Sequence, residues 1–185
     1  MLHLFSSVIP IGYYFFPKEK IAILFILLIL IIIATILELF RVKVSWIKIF
    51  FSKNLQFMMR PQERDGLTTG ATWLLIGSFI TISFFPIEYA IPALLFLTIG
   101  DTFAAIIGLI FPLIQIGHKT LSGSISGFTI SLIFVIFMMK DVAPNILVLG
   151  CFSAMIAECA PIPINDNLTI PIVSGFMMFI GAQII

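Results

Sequence analysis

One carboxylate stands inside an apolar run long enough to cross a bilayer. The run is Ala90-Ile-Pro-Ala-Leu-Leu-Phe-Leu-Thr-Ile-Gly-Asp101-Thr-Phe-Ala-Ala-Ile-Ile-Gly108-Leu-Ile-Phe111. Placing an ionisable group at that depth costs roughly 2.5–3.5 kcal/mol on insertion scales, so a chain that keeps one there is expected to use it. Counted from Asp101, positions i+3, i+4 and i+7 share its helix face, and they hold Ala104, Ala105 and Gly108. Such a face lets a second backbone, or a ligand, come close to the acid. The competing reading is small-xxx-small helix packing with Asp101 paired to a basic group.

A second cluster follows in Gly117-His-Lys119-Thr120-Leu-Ser122-Gly123-Ser-Ile-Ser-Gly127. Free N–H groups at a helix start, with Lys119 beside them, suit a phosphate. It is not a Walker A loop, which requires glycine where His118 and Leu113 stand. A Gly/Ser turn followed by a packing Gly123-x-x-x-Gly127 is the alternative.

The third cluster is Glu158-Cys-Ala-Pro-Ile-Pro-Ile-Asn165-Asp166-Asn167-Leu-Thr-Ile-Pro171. Carboxylate and amide oxygens are hard ligands suited to Mg2+, which takes one or two carboxylates together with phosphate oxygens. Capping of the next helix by Asp166 or Asn167 is the alternative. The fourth is Arg60-Pro-Gln-Glu63-Arg64-Asp65, preceded at the end of an apolar run by Glu38 and Arg41, which can pair at i, i+3. His3 and His118 have no partner at metal-ligand spacing, which argues against zinc.

The elements that must position these residues are helices in a membrane. Of 185 residues, 61% are hydrophobic and 10% charged, with mean hydropathy +1.21. Soluble domains carry about 25% charged residues. The net charge of +1 gives no bulk attraction to nucleic acid. Apolar runs predict about seven spans, at 4–16, 21–40, 67–85, 89–111, 124–139, 145–160 and 168–185. The expected fold is all-α: one membrane-embedded bundle over residues 1–185, with a basic loop at 41–66.

That loop carries six of the ten Lys and Arg residues, Arg41, Lys43, Lys48, Lys53, Arg60 and Arg64, which places it in the cytoplasm. Alternation then brings His118, Lys119, Asp166 and Asn167 to the same side. Met1-Leu-His-Leu has no basic n-region and no cleavage site follows, so 4–16 reads as a retained first helix, tilted, incomplete or lengthened by residues upstream. Cys151 and Cys159 would lie about 12 Å apart along a helix, too far for a disulfide.

The ordered set resembles the CTP-dependent lipid kinases: dolichol (polyprenol) kinase, phytol kinase and the CTP-type diacylglycerol kinase. The matching pieces are Glu38-Leu-Phe-Arg41, Arg60-Pro-Gln-Glu63, Leu67-Thr-Thr-Gly-Ala-Thr-Trp73, the Gly100–Gly108 segment, Lys119-Thr-Leu-Ser-Gly-Ser-Ile-Ser-Gly-Phe128, Glu158 and Asp166-Asn-Leu-Thr-Ile-Pro171. They cover nearly the whole chain in order. Family members open with an Arg-Lys pair shortly before a first-helix histidine; His3 matches the histidine, and only Met1-Leu2 precede it here.

The resemblance implies phosphoryl transfer from CTP to the hydroxyl of a prenyl alcohol or diacylglycerol, with Mg2+ as cofactor and no obligate protein partner. In that reading Asp101 ligates the metal or takes the alcohol's proton, and Glu158 and Asp166 help to hold metal. Lys119, Thr120, Ser122, Gly123, Gly108, Arg60 and Glu63 contact the nucleotide phosphates. His3, Glu38, Arg41 and Asn167 support the site. The implied setting is a prokaryotic inner membrane, with the lipid arriving sideways from the bilayer. A CDP-lipid-forming cytidylyltransferase, or a small transporter lined by Asp101 and Glu158, are the other readings. Asp101 lies roughly 15 Å from the end of an unbroken helix. That depth predicts a break near Gly100 or at 111–117, or a polar cavity reaching the acid.

Overall fold

The computed structural model describes residues 2–44, 49, 68–117, 119–160 and 163–184. Its elements run α1 (Leu2–Ser6), α2 (Val8–Phe15), a 3-10 turn (Pro17–Glu19), α3 (Lys20–Lys43), α4 (Gly70–Phe84), α5 (Ile87–Leu95), a π-helical turn (Phe96–Gly100), α6 (Asp101–Ile110), strands β1 (Gln115–Ile116) and β2 (Lys119–Thr120), α7 (Leu121–Met138), α8 (Pro144–Cys159) and α9 (Asp166–Ile184). The fold is helical, as expected, with one minor addition. A two-residue antiparallel ladder joins β1 to β2, pairing Gln115 with Thr120 and Ile116 with Lys119.

Helices form where leucine, isoleucine and phenylalanine run on without interruption, because in hydrocarbon every backbone group must be satisfied within its own segment. Four stretches are long and apolar enough to cross a membrane: Pro17–Lys43, Ile87–Ile110, Leu121–Met138 and Asp166–Ile184. The other three apolar helices lie where spans were expected but are shorter, at Leu4–Phe15, Gly70–Phe84 and Pro144–Cys159. The 15 residues of α4 rise roughly 22 Å, short of a hydrocarbon core of about 30 Å. Seven full-length spans are therefore not what these lengths give.

The outside of the bundle is apolar. α3 buries only Leu27 and Arg41, while Ile21, Phe25, Ile32 and Leu39 stand open. An all-round apolar helix with so little protein against it has a surface suited to lipid. Arg41, expected to open the basic loop, is instead inside α3 and 5% exposed.

The stretch Ile87–Ile110 is the centre. Ile91, Leu94, Leu95 and Leu97 are each at most 1% exposed, and Ile82, Leu147 and Met178 of the surrounding helices are as fully buried. Pro92 removes one N–H inside α5, and the ladder loosens into a wider π turn four residues later. The turn ends at Gly100, immediately before Asp101, and the helix runs on through both residues, so the break expected near Gly100 is reduced to this widening. A second proline, Pro171, leaves the Asn167 carbonyl without its usual helical donor. Gly77 of α4 lies against that carbonyl so closely that a Cβ there would collide with it.

Candidate functional site: a carboxylate–lysine cavity at the helix ends

The site begins with how the chain turns from α6 to α7. Phe111 leaves the helix at φ −128°, and two residues then adopt positive φ, Ile114 at 48° and Gly117 at 61°. The second position suits glycine because it has no Cβ. The turn is pinned by the Leu121 N–H donating to the Ile114 carbonyl at 2.9 Å, and by the Ser122 hydroxyl donating to the Phe111 carbonyl at 2.5 Å. The Thr120 hydroxyl caps α7 by accepting from the Gly123 N–H at 3.2 Å.

Glycines then let α6 and α7 meet along a close seam. A Cβ on Gly123 would stand 2.6 Å from the Ala104 carbonyl oxygen, and one on Gly108 would stand 2.6 Å from the Thr120 hydroxyl. Gly127 lies against the Gly100 carbonyl in the same way. The seam is small-residue packing, and it also runs beside the acid, since Gly100 immediately precedes Asp101.

Lys119 reaches from β2 across the ends of two other helices. Its ammonium lies 3.0 Å from Asp166 Oδ2 and 3.3 Å from Glu158 Oε1. Burial works to lower its pKa, but the carboxylates of Glu158 and Asp166, with Asp101 further off, outweigh this and hold the lysine above its ordinary value. The ammonium is thus charged throughout the neutral range.

Between these groups lies a cavity of about 960 Å³. Such a volume is at the upper end of the range for small-molecule sites. Its lining mixes polar residues, Asp101, Glu158, Lys119, Thr120, Ser124 and Gln115, with small or apolar ones, Ala104, Ala105, Gly108, Leu109, Pro112 and Gly123. Asp101 and Glu158 also border a second, much smaller pocket of about 10 Å³, lined by Phe96, Phe128, Cys151 and Ile170 among others. That is room for about one water molecule.

Six of the residues singled out from the sequence therefore line one cavity: Asp101, Gly108, Lys119, Thr120, Gly123 and Glu158. Asp166 joins them through Lys119. Ser122 departs from expectation, because its hydroxyl is spent on the Phe111 carbonyl. The Gly123 N–H is likewise taken by Thr120, so the turn offers fewer free N–H donors to a phosphate than its sequence promised. His3 lies in α1, which packs on the π turn and on α6. Arg60, Glu63, Arg64 and His118 fall outside the described residues.

Asp101, Glu158 and Asp166 were expected to share Mg2+. Among the described residues no three of His, Cys, Asp and Glu stand close enough together to hold a metal ion. The ammonium of Lys119 bridges Glu158 and Asp166 instead. The donors are of the right chemical kind, hard oxygens beside a cavity, but they suit Mg2+ only with oxygens supplied by a ligand such as a triphosphate.

Sequence reasoning missed the way this end of the bundle is bolted together. Glu38 Oε1 accepts from the Thr69 N–H at 2.8 Å, the Thr69 hydroxyl at 2.7 Å and the Thr72 hydroxyl at 2.8 Å. A carboxylate from α3 thus caps the positive end of α4. Asn167, 1% exposed, donates its side-chain amide to the Gly70 carbonyl at 2.6 Å. α9 is capped by neither of the two residues considered for that role: Asn165 Oδ1 accepts from the Asn167 N–H at 3.0 Å. This frees Asp166 for Lys119 and Asn167 for α4. The Thr-Thr-Gly ahead of an apolar run was the one available hint, being a usual way to begin a helix.

No protein-family model matches the chain, and no solved structure matches it. An uncharacterized protein of Rickettsia prowazekii (strain Madrid E) is 27% identical over 180 residues, covering 93% of this chain and 87% of that protein. The chain is thus similar, over nearly all its length, to a bacterial protein of the same general size.

Proposed function

We propose that this chain is a membrane lipid kinase that transfers the γ-phosphoryl group of CTP, or a related nucleoside triphosphate, to the hydroxyl of a prenyl alcohol or diacylglycerol. The observation that carries the reading is one cavity lined by a lysine, two carboxylates and a set of small and apolar residues. Phosphoryl transfer needs positioning and charge neutralisation more than covalent catalysis, and such charged groups can supply them.

In this mechanism Lys119 attracts the phosphate oxygens and offsets the charge that gathers on the leaving group. Asp101 accepts the proton of the acceptor hydroxyl. The alcohol oxygen bonds to the γ-phosphorus, the bond from that phosphorus to the bridging oxygen breaks, and CDP leaves. Glu158 and Asp166 hold Lys119 in place until phosphate competes for it. Glu158 and Asp166, together with triphosphate oxygens, would hold Mg2+, whose chemistry there would be further charge neutralisation. In this reading the helix ends bearing the site face the cytoplasm, as the basic loop argues. The three short helices complete seven crossings where the bilayer thins around them.

The test is purified protein with Mg2+, a prenyl alcohol or diacylglycerol in micelles, and CTP labelled either at the γ-phosphorus or in the cytidine. Lipid monophosphate carrying the γ label is the expected result. Cytidine label in the lipid would make the chain a CDP-lipid-forming enzyme and overturn the kinase. Solute flux in proteoliposomes without either transfer would overturn both in favour of a transporter.

A further inference from the structure

We infer that the acceptor reaches the carboxylates sideways, through a window between α7 and α8 framed by Phe128 and Met155, and that it is an alcohol borne on a single hydrocarbon chain. This deepens the proposed reading and rests on it. Asp101 and Glu158 are the two residues common to the large cavity and the small pocket. The large cavity runs from them past Ala105, Gly108 and Leu109 to the turn at Lys119–Thr120, at the helix ends. The small pocket runs from the same acids the other way, deeper into the bundle, to Ser131, Cys151 and Phe96. A transfer between two substrates fits this arrangement. The charged one arrives from water, the apolar one from lipid, and their reacting atoms meet where the two spaces touch.

The way in from lipid is set by where α7 and α8 touch. Among the described residues, polar side-chain contacts join them at two levels. The Ser124 hydroxyl lies 3.6 Å from the Cys159 sulfur. Deeper, the Cys151 sulfur lies 3.6 Å from the Ser131 hydroxyl and donates to the Phe128 carbonyl at 3.4 Å. The two levels are about 10 Å apart along α7 and about 12 Å apart along α8. The small pocket lies between them. Of its lining on these two helices, Gly127, Ser131, Cys151 and Ala154 are buried, whereas Phe128, Met155 and Glu158 are partly exposed. Met155 shares a face of α8 with Cys151 and Glu158, so an opening at Met155 leads to the acid. Ile125, Phe152 and Ile156 stand exposed on the same two helices, on surface that hydrocarbon would cover. Phe128 lies about 10 Å and Met155 about 6 Å inside the helix ends, near the depth of the headgroup–acyl boundary, where an alcohol in a bilayer holds its hydroxyl. The pocket has room for about one water, hence for one hydroxyl, and the chain behind it stays in the bilayer. A diacylglycerol would bring two ester groups against Phe128, Ala154 and Met155, whose side chains offer them no hydrogen bond. Met155, unbranched and with three rotatable bonds, is the side chain suited to swing aside.

A long-chain primary alcohol carrying a diazirine beside its hydroxyl end, photolysed with the full chain in nanodiscs, reports on the window. Adducts should be at least fivefold denser on Phe128, Ala154 and Met155 than on Phe137, an exposed residue of α7. The same chain with hydrogen in place of the hydroxyl should show no such preference. Met155→Trp should remove the preference and raise KM for the alcohol at least tenfold, leaving KM for CTP within twofold. Met155→Leu should stay near the parent in both. Diacylglycerol at equal mole fraction should not displace the probe, and its kcat/KM should be at most one tenth of the alcohol's. Adducts no denser at the window than at Phe137, a rise in KM for CTP in place of that for the alcohol, or diacylglycerol serving as well as the alcohol would overturn the inference. Preferential labelling of the window in a chain that transfers no phosphate would keep the window and discard the kinase.

Discussion

Two carboxylate sites sit at the same end of this bundle, and they are built differently. At Glu38 one oxygen takes three hydrogen bonds from Thr69 and Thr72, and the result is a joint between two helices. At Lys119 two carboxylates share one ammonium, with side chains 29%, 11% and 24% exposed for Lys119, Glu158 and Asp166, and a cavity lies alongside. The first has its donors supplied by helix geometry. The second has groups that a ligand can reach and re-partner. A charged residue in lipid is commonly read as functional; Glu38 shows that such a residue can serve as a joint between helices, whereas the surroundings of Lys119 leave a cavity beside it.

The sharpest way to break that comparison is at Lys119. Lys119→Met leaves Glu158 and Asp166 facing each other without their cation and removes the positive charge from the cavity. Phosphoryl transfer should fall at least 100-fold, measured with γ-labelled CTP. Glu38→Gln should leave transfer within about threefold while lowering stability by about 1–2 kcal/mol in a reversible unfolding measurement, as expected for weakening hydrogen bonds to a charged group. Equal losses of transfer at the two positions would show that the sites do not differ in role.

A smaller effect is expected at the joints. Asn167→Ala strands the Gly70 carbonyl and should cost about 1–3 kcal/mol. Gly123→Ala forces a contact with the Ala104 carbonyl and should cost about 1–3 kcal/mol by overpacking, with a larger loss of transfer than Asn167→Ala because it opens the wall of the cavity. Gly12→Ala, where a Cβ meets nothing within 4 Å, is the neutral control for both.

The smallest effect concerns pH. The pKa of Lys119 is raised in the folded protein, so the stability it contributes is fully present below the unfolded value of about 10.4 and is lost only as pH climbs through the folded value above it. The difference in unfolding midpoint between the parent and Lys119→Met should therefore be the same at pH 7 and pH 9 and shrink only beyond about pH 10.4.

Much of the helical frame was legible from residue order, since apolar runs persist along the chain and need no partner to be recognised. Of the ways in that so deep an acid called for, a break near Gly100 is not what the helix shows, since it runs on through a π turn, whereas a cavity does border Asp101. Side-chain assignments were less so. Ser122 looked like a phosphate donor by its neighbours, yet it closes the turn through Phe111. Asp166 and Asn167 looked like caps by their place before a helix, yet Asn165 caps it and leaves the other two to face α4 and Lys119.

Read alone, the chain of residues determined where apolar helices form and that an acid, a lysine–glycine turn and an acidic segment follow one another. Those are local properties, carried by hydropathy and by spacing of a few residues. That Lys119 meets Asp166, 47 residues away, and that Glu38 meets Thr69, 31 residues away, was decided only in three dimensions. Such meetings depend on how closely helices pack; spacing marked Gly108 and Gly123 as packing residues, but which backbone each lies against, as Gly77 against the Asn167 carbonyl, was set only in the fold.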